Sequence, residues 1–233
     1  MYKPVQKLLR FDNYKMQKSV KFGYLSVILY LAPYKLSGVN ICPKASKGCI
    51  AGCLNLSGRG VFDSVKQSRL NKTKYFLQDR VKFLNQLDRE IKNYHKRATA
   101  LNLKLNVRLN GTSDLPFERY KLENGLSLMD NNPTIDFHDY TKIKNRLTDA
   151  LPKNYQLTFS KSESNDNEIQ ELIMTTKQNI AVVFNKLPRT YLGRKVIDGD
   201  LNDLRFLDPK NSIVGLIAKG KAKKDNSGFV VNI

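Results

Sequence analysis

Short apolar runs alternating with helical or polar stretches restrict this chain's fold more than any other feature. Six or seven segments read as strands. They are 22–32 (FGYLSVILYLA), 104–109 (KLNVRL), 134–138 (TIDFH), 155–159 (YQLTF), 179–184 (NIAVVF), the short 195–197 and 213–218 (IVGLIA). Between the first two, Leu77, Val81, Leu84 and Ile91 recur at helical spacing among charged residues, which predicts one long helix or two in tandem over about 63–97. Helical or loop material, 167–177, precedes NIAVVF. Apolar strands alternating with helices imply parallel β/α units, and the strand count predicts a partial parallel (β/α) barrel rather than a closed one. The 233 residues fit a single domain, 1–233, with a basic N-terminal segment at 1–21 and a basic C-terminal segment at 219–233.

Polar residues bunch just after nearly every strand, and in a β/α barrel the loops at the strands' carboxyl ends build the site. The densest such loop is 42–53 (CPKASKGCIAGC), which holds all three cysteines of the protein. An odd count argues against a disulfide framework, and the surrounding Gly, Pro, Ser and Lys argue against a buried apolar role. Metal or cluster binding by Cys42, Cys49 and Cys53 is therefore expected. Three thiolates suit a [4Fe–4S] cluster with one open iron. Zinc would ask for a fourth protein ligand, and His95 and His138 are the only histidines. A loop with no metal is the remaining alternative.

Other groups fall on the same predicted edge. Asn110, Thr112, Ser113 and Asp114 follow the second strand, and Ser160, Lys161 and Glu163 follow the fourth. They offer amide, hydroxyl and charged groups for a cofactor or substrate, with Lys161 and Glu163 suited to a zwitterion if they pair in a buried setting. A plain Asx turn is the competing reading of 110–114. Tyr140 and Lys161 are the candidate catalytic residues, Tyr140 as a hydroxyl donor. Asp198 and Asp200, with Asp203 and Asp208 nearby, could hold Mg²⁺ in a metal-dependent nuclease, or could serve only as turn residues.

Charge bears on partners. Forty Lys and Arg against 21 Asp and Glu give a formal net charge of +19. Such a field attracts polyanions, so a nucleotide or nucleic acid is a natural partner, although a basic, Asn- and Lys-rich composition has a genomic explanation as well. No stretch is long and apolar enough to span a membrane, and no signal peptide is evident, so a reducing host cytoplasm is expected.

Taken with GYLSVILYLAPYKLSGVNICPKASKGCIAGCLNLSGRG, VRLNGTSDLPFE, FHDYTK, LTFSKSESN, VIDGDLNDLRFLDP and GLIAKGKAKKDNSGFVV, the chain resembles the phage "gene product eighty-eight" family, found in phages and mobile elements. The likeness implies a phage setting and carries no activity with it. More distantly, the chain is similar to radical S-adenosylmethionine enzymes, which bind a [4Fe–4S] cluster through three cysteines after the first strand of a partial barrel. The spacing here is C-x6-C-x3-C where that superfamily usually has C-x3-C-x2-C, and no Gly-Gly-Glu strand is present. That similarity implies S-adenosylmethionine as cofactor, held by Asn110, Thr112, Ser113, Asp114, Ser160 and Glu163. The expected function is a radical-SAM-like iron–sulfur enzyme acting on a nucleotide or nucleic acid. The alternatives are a non-catalytic nucleic-acid-binding protein with a zinc-stabilised loop, and the nuclease.

Overall fold

In the computed structural model, which describes residues 2–11, 18–147 and 150–233, the apolar runs become one mixed sheet of ten strands. The strands are β1 (Leu9–Arg10), β2 (Tyr24–Leu29), β3 (Lys104–Arg108), β4 (Asp136–Thr141), β5 (Tyr155–Ser160), β6 (Ile180–Phe184), β7 (Thr190–Tyr191), β8 (Arg194–Asp198), β9 (Ile213–Ile217) and β10 (Val230–Val231). Their spatial order is β1-β2-β3-β4-β5-β6-β9-β8-β7, with β10 on β6. Strands β2 to β6, β9, β8 and β10 pair in parallel, and only the β1–β2 and β7–β8 pairs are antiparallel. All the expected strands are present. The count exceeds six or seven because β1, β7 and β10 are two-residue strands, too short to carry a periodic signal.

From β2 to β6 each new strand adds on the same side, so the winding never reverses there. Right-handed crossovers then send every helical connection to one face. The helical stretch after the cysteine loop is two helices, α2 (Asp63–Gln78) and α3 (Arg80–Ala100), broken at Asp79; α1 (Lys47–Ala51) lies within that loop and α4 (Asp166–Thr175) follows β5. Phe76, Phe83, Leu84, Leu87 and Ile91 from α2 and α3 pack with Leu25, Val27, Leu29, Leu105, Val107, Phe137 and Leu157. Ile169 and Leu172 of α4 pack with Phe159, Ile180, Val182 and Phe184. The register aligns all these strand residues on one face of the sheet. Val81, read from the helical spacing as an inward residue, is 45% exposed.

The opposite face carries the other half of each strand: Ser26, Asn106, Arg108, His138, Tyr140, Gln156, Thr158 and Ser160. None of α1 to α4 packs on it; segment 199–208, with its 3-10 turn Arg205–Leu207, covers it, with Phe206 against the rings of Tyr24 and His138. Near the end of β6 the sheet splays. Strand β5 pairs with Ile180 and Ala181, and β10 pairs with Val183 and Phe184 while β9 holds the other edge throughout. The C-terminal strand thus enters the sheet between the carboxyl ends of β5 and β6. This brings 220–229 against the cysteine loop.

Candidate functional site

The cysteine loop leaves β2 at the carboxyl edge of the sheet and is fixed from three sides. Helix α1 begins at Ser46, whose hydroxyl accepts a hydrogen bond from the Cys49 backbone N–H, as an N-cap should. The Glu163 carboxylate, from the loop after β5, takes the remaining donors: the Ser46 hydroxyl at 2.7 Å and the Gly48 N–H at 2.7 Å. Gly48 is obligatory for a steric reason, since a Cβ there would lie 2.1 Å from Ser227 Oγ and 2.5 Å from Phe229 Cβ. At the other end of the loop the Asp114 N–H donates to Ile41 O, and the Thr112 hydroxyl donates to Leu31 O at 2.5 Å. Helix α1 stops at Ala51, so Cys53 stands beyond it rather than one helical turn from Cys49.

The thiols nevertheless lie within reach of one another's charge. Burial pushes the Cys42 thiol up to about 11, and charge on Cys53 or Cys49 would push it further. Burial raises the Cys53 thiol as well, Cys49 adds to the rise, and Arg69 and Lys142 oppose it. The Tyr34 N–H donates to Cys42 Sγ at 3.3 Å, and the Asn55 N–H lowers the Cys53 thiol by donating to it. Cys42 Sγ also lies 3.6 Å from the Thr112 carbonyl oxygen. Arg69 donates to Asn55 Oδ1 and lies 4.7 Å over the Tyr30 ring; Lys142 donates to Ser160 Oγ at 3.2 Å and lies over Phe229. All three cysteines are free thiols. Among the described residues no three His, Cys, Asp or Glu side chains are drawn together tightly enough to hold a metal ion as they stand.

The residues predicted around this loop are close to it, and most are held by the protein itself. Asn110 is saturated: its N–H and side-chain amide donate to Asp139, its amide donates to Leu115 O, and its Oδ1 accepts from Ser113 Oγ and Leu115 N. Asp114 accepts from Arg146 Nη1 at 2.6 Å and from the Lys142 N–H at 2.9 Å. Arg146 is 2% exposed and also binds both oxygens of Glu118, while Tyr155 donates to Asp139, whose carboxyl burial pushes up to about 6. Lys161 and Glu163 do not pair. Lys161 meets Asp166 at 2.7 Å, and Glu163 is given over to the start of α1. The zwitterion clamp expected of them is therefore not formed, because the turn after β5 gives Lys161 to the start of α4 and Glu163 to the start of α1.

Tyr140 lies on the sheet's polar face, its ring 4.7 Å from the Arg108 guanidinium carbon, away from the cysteine loop's own hydrogen bonds. The acids near 200 are engaged. Asp198 accepts from the Asp200 N–H, Asp200 pairs with Lys219 at 2.6 Å and caps Ile217 N, and Asp203 pairs with Arg108 at 2.9 Å. Turn and ion-pair chemistry thus accounts for these residues. His138 is wholly buried in β4 on Asn106, and burial lowers its pKa, while His95 lies in α3. Beside the loop, Lys44, Ala45, Lys142, Ser164, Asn165 and Glu168 line an open depression of about 220 Å³. Exposed Lys221, Lys223 and Lys224 lie on the turn whose Ala222 packs against Gly52.

Arg69, Arg108, Arg146 and the clamping role of Glu163 were not evident from the sequence. The signal available was Asn106 and Arg108 alternating with apolar residues in KLNVRL, which marks a polar face.

No helix among the described residues is long and apolar enough to cross a membrane. No curated protein matches the chain, and no solved structure does either. The likeness to radical S-adenosylmethionine enzymes thus rests on the pattern of cysteines and strands alone. The family model described as gene product 88 matches residues 7–233, and the chain belongs to that family.

Proposed function

We propose that Cys42, Cys49 and Cys53 are the ligands of an iron–sulfur cluster with one iron left open, and that the protein is an enzyme built around it on a partial β/α barrel. The observation that carries this reading is the donor set. Three thiols lie in one loop at the carboxyl edge of a parallel sheet, within reach of one another's charge, and the carboxylates that meet the loop are already committed, Asp114 to Arg146 and Lys142, Glu163 to Ser46 and Gly48. Backbone N–H groups directed at Cys42 and Cys53 suit thiolates, since such bonds stabilise sulfur charge. The winding of β2 to β6, with α2 to α4 packed on one face, fits a barrel wall whose inner face is the polar one.

Bound there, a [4Fe–4S] cluster with S-adenosylmethionine at its open iron would supply one-electron reductive chemistry. The chain's own part is to orient and shield. Glu163 sets the direction of α1 and hence of Cys49. Residues 220–229 cover that helix, with Ser227 and Phe229 against Gly48. The Cys42 thiol, at about 11, is protonated at neutral pH, so loading must release its proton. Exposed Lys44, Lys47, Lys221, Lys223 and Lys224 around the loop favour an anionic substrate such as a nucleotide or nucleic acid.

Iron and sulfide analysis with a visible spectrum of anaerobically purified protein tests the reading. About four irons per chain, lost in Cys42→Ala, Cys49→Ala and Cys53→Ala alike, is the expected result. Colourless protein with one zinc would replace it by the zinc-stabilised binding module. Protein with neither metal would remove the enzyme reading.

A further inference from the structure

The polar face of the sheet holds a cluster that the cysteine chemistry does not use. Arg108, His138, Tyr140 and Thr158 project from β3, β4 and β5, and Arg205 reaches in from segment 199–208, where it is 1% exposed. The charges of Arg108, Arg205, Asp203 and Asp208 all act on the Tyr140 hydroxyl, and Arg108, Arg205 and Asp203 act on His138, so these groups share one space. Thr158 is the register partner of Tyr140. Leaving Asp203 aside, seven buried polar atoms there make no hydrogen bond within the protein: Arg108 Nε, Arg205 Nε, Arg205 Nη1, Tyr140 OH, Thr158 Oγ1, His138 Nε2 and Asp208 Oδ2. Buried polar atoms are ordinarily paired, and seven such exceptions in one cluster indicate groups arranged for something other than the segment that covers them.

Their chemistry is specific. The two guanidinium Nε–H groups can only donate, and the hydroxyls of Tyr140 and Thr158 can donate or accept. Asn106 Nδ2 donates to Ser26 Oγ at 3.1 Å, which turns Asn106 Oδ1 toward His138 Nδ1 at 2.9 Å and places the proton on Nδ1. Neutral His138 therefore presents Nε2 as an acceptor, 3.7 Å from Asp203 Oδ2. A ligand that answers this set has several acceptor oxygens and at least one O–H donor, since His138 Nε2 and Asp208 Oδ2 both accept. A singly protonated phosphate has both, and a carboxylate lacks the donor. Asp203 lies 2.9 Å from Arg108, and Asp208 lies 3.3 Å from Arg205 without an aligned hydrogen bond. Asp208, pushed up to about 6 by burial, is the carboxylate that an incoming anion would neutralise.

We propose that the polar face of the sheet beneath segment 199–208 is a second ligand site, which takes a phosphate group between Arg108 and Arg205 with Tyr140, Thr158 and His138 completing its hydrogen bonds. Entry requires the segment to lift. It is tethered at its start by Lys219–Asp200 and along its length by Gln156 to Arg205 O, while Leu201 and Leu207 face solvent. None of its groups is a cysteine, and phosphate binding there does not depend on what the cysteines hold.

Calorimetry on the full chain, with inorganic phosphate and separately with succinate as probes, tests this. Phosphate is expected to bind once per chain with a Kd below about 1 mM, and Arg108→Lys and Arg205→Lys to weaken it at least ~10-fold by removing the forked donors. Tyr140→Phe, which leaves every ion pair in place, is expected to weaken phosphate several-fold without loss of fold. Serine at all three cysteine positions should leave phosphate binding unchanged. Absence of phosphate binding overturns the proposal, as does an unchanged affinity in Tyr140→Phe and Arg108→Lys, which would mark a surface lysine site. Succinate binding as tightly as phosphate overturns the phosphate assignment.

Discussion

Replacing Glu163 by alanine isolates what positions the cysteine loop. Its carboxylate accepts two short hydrogen bonds, from the Ser46 hydroxyl and the Gly48 N–H, and both donors belong to buried residues at the start of α1. A hydrogen bond to a charged group contributes about 1.5–3 kcal/mol, and a buried donor left without a partner costs about 1–3 kcal/mol. Glu163 is half-buried, so water can reach part of the vacated space and the two losses do not add in full. We expect a net cost of about 2–3 kcal/mol, concentrated in local opening of 42–53, which is a rise of roughly 30- to 150-fold in the open population. Glu163→Gln keeps one acceptor oxygen for Gly48 and should recover about half of that. The assay is amide hydrogen exchange followed at Gly48 and Cys49, together with urea unfolding. Exchange at those amides that stays at the wild-type rate in Glu163→Ala would refute the assignment of Glu163 as the clamp.

Other substitutions test the surrounding argument. Gly48→Ala forces Ser227 and Phe229 to move, and should lower stability by about 1–3 kcal/mol and loosen 220–229, read as new proteolytic cleavage there. Arg146→Met leaves Asp114 and Glu118 without their cation, and should cost about 3–5 kcal/mol in urea unfolding; a change under about 1 kcal/mol would deny that this network floors the site. Asp208 has a folded pKa near 6, above the ordinary carboxylate value of 3.8, so the native state binds more protons than the unfolded state between those values. Its contribution therefore falls as pH rises from about 4 to about 6 and is level above. Asp208→Asn should gain on the wild type across that window, read as the difference in urea midpoint; a constant difference would refute the burial argument.

The strands were legible because each is an apolar run of ordinary length, and β2 to β6, β8 and β9 stand where composition puts them. The boundary between α2 and α3 was not, since Asp79 carries no Pro or Gly to mark it. The two-residue strands β1, β7 and β10 exist only because a partner edge was open to them. At the site, the convergence of Asn110, Asp114, Ser160 and Glu163 near the cysteine loop followed from the parallel sheet, since parallel strands gather their carboxyl ends on one edge. Their partners did not follow. Lys161 and Glu163 are two residues apart in sequence yet serve Asp166 and α1 respectively, because the loop after β5 lies between those two elements.

The sequence by itself determined the family, the parallel β/α architecture and the placement of three thiols in one loop after the first long strand. These are local or cumulative properties: composition over five to ten residues, turn chemistry, and likeness along nearly the whole chain. Only the tertiary structure decided that Glu163 holds α1, that Arg146 locks Asp114, and that Arg108, His138, Tyr140 and Arg205 share a buried space under 199–208. Each of those contacts joins residues tens of positions apart. The polar face depends on strand register, and a register one residue away would turn Arg108, His138 and Tyr140 to the opposite face.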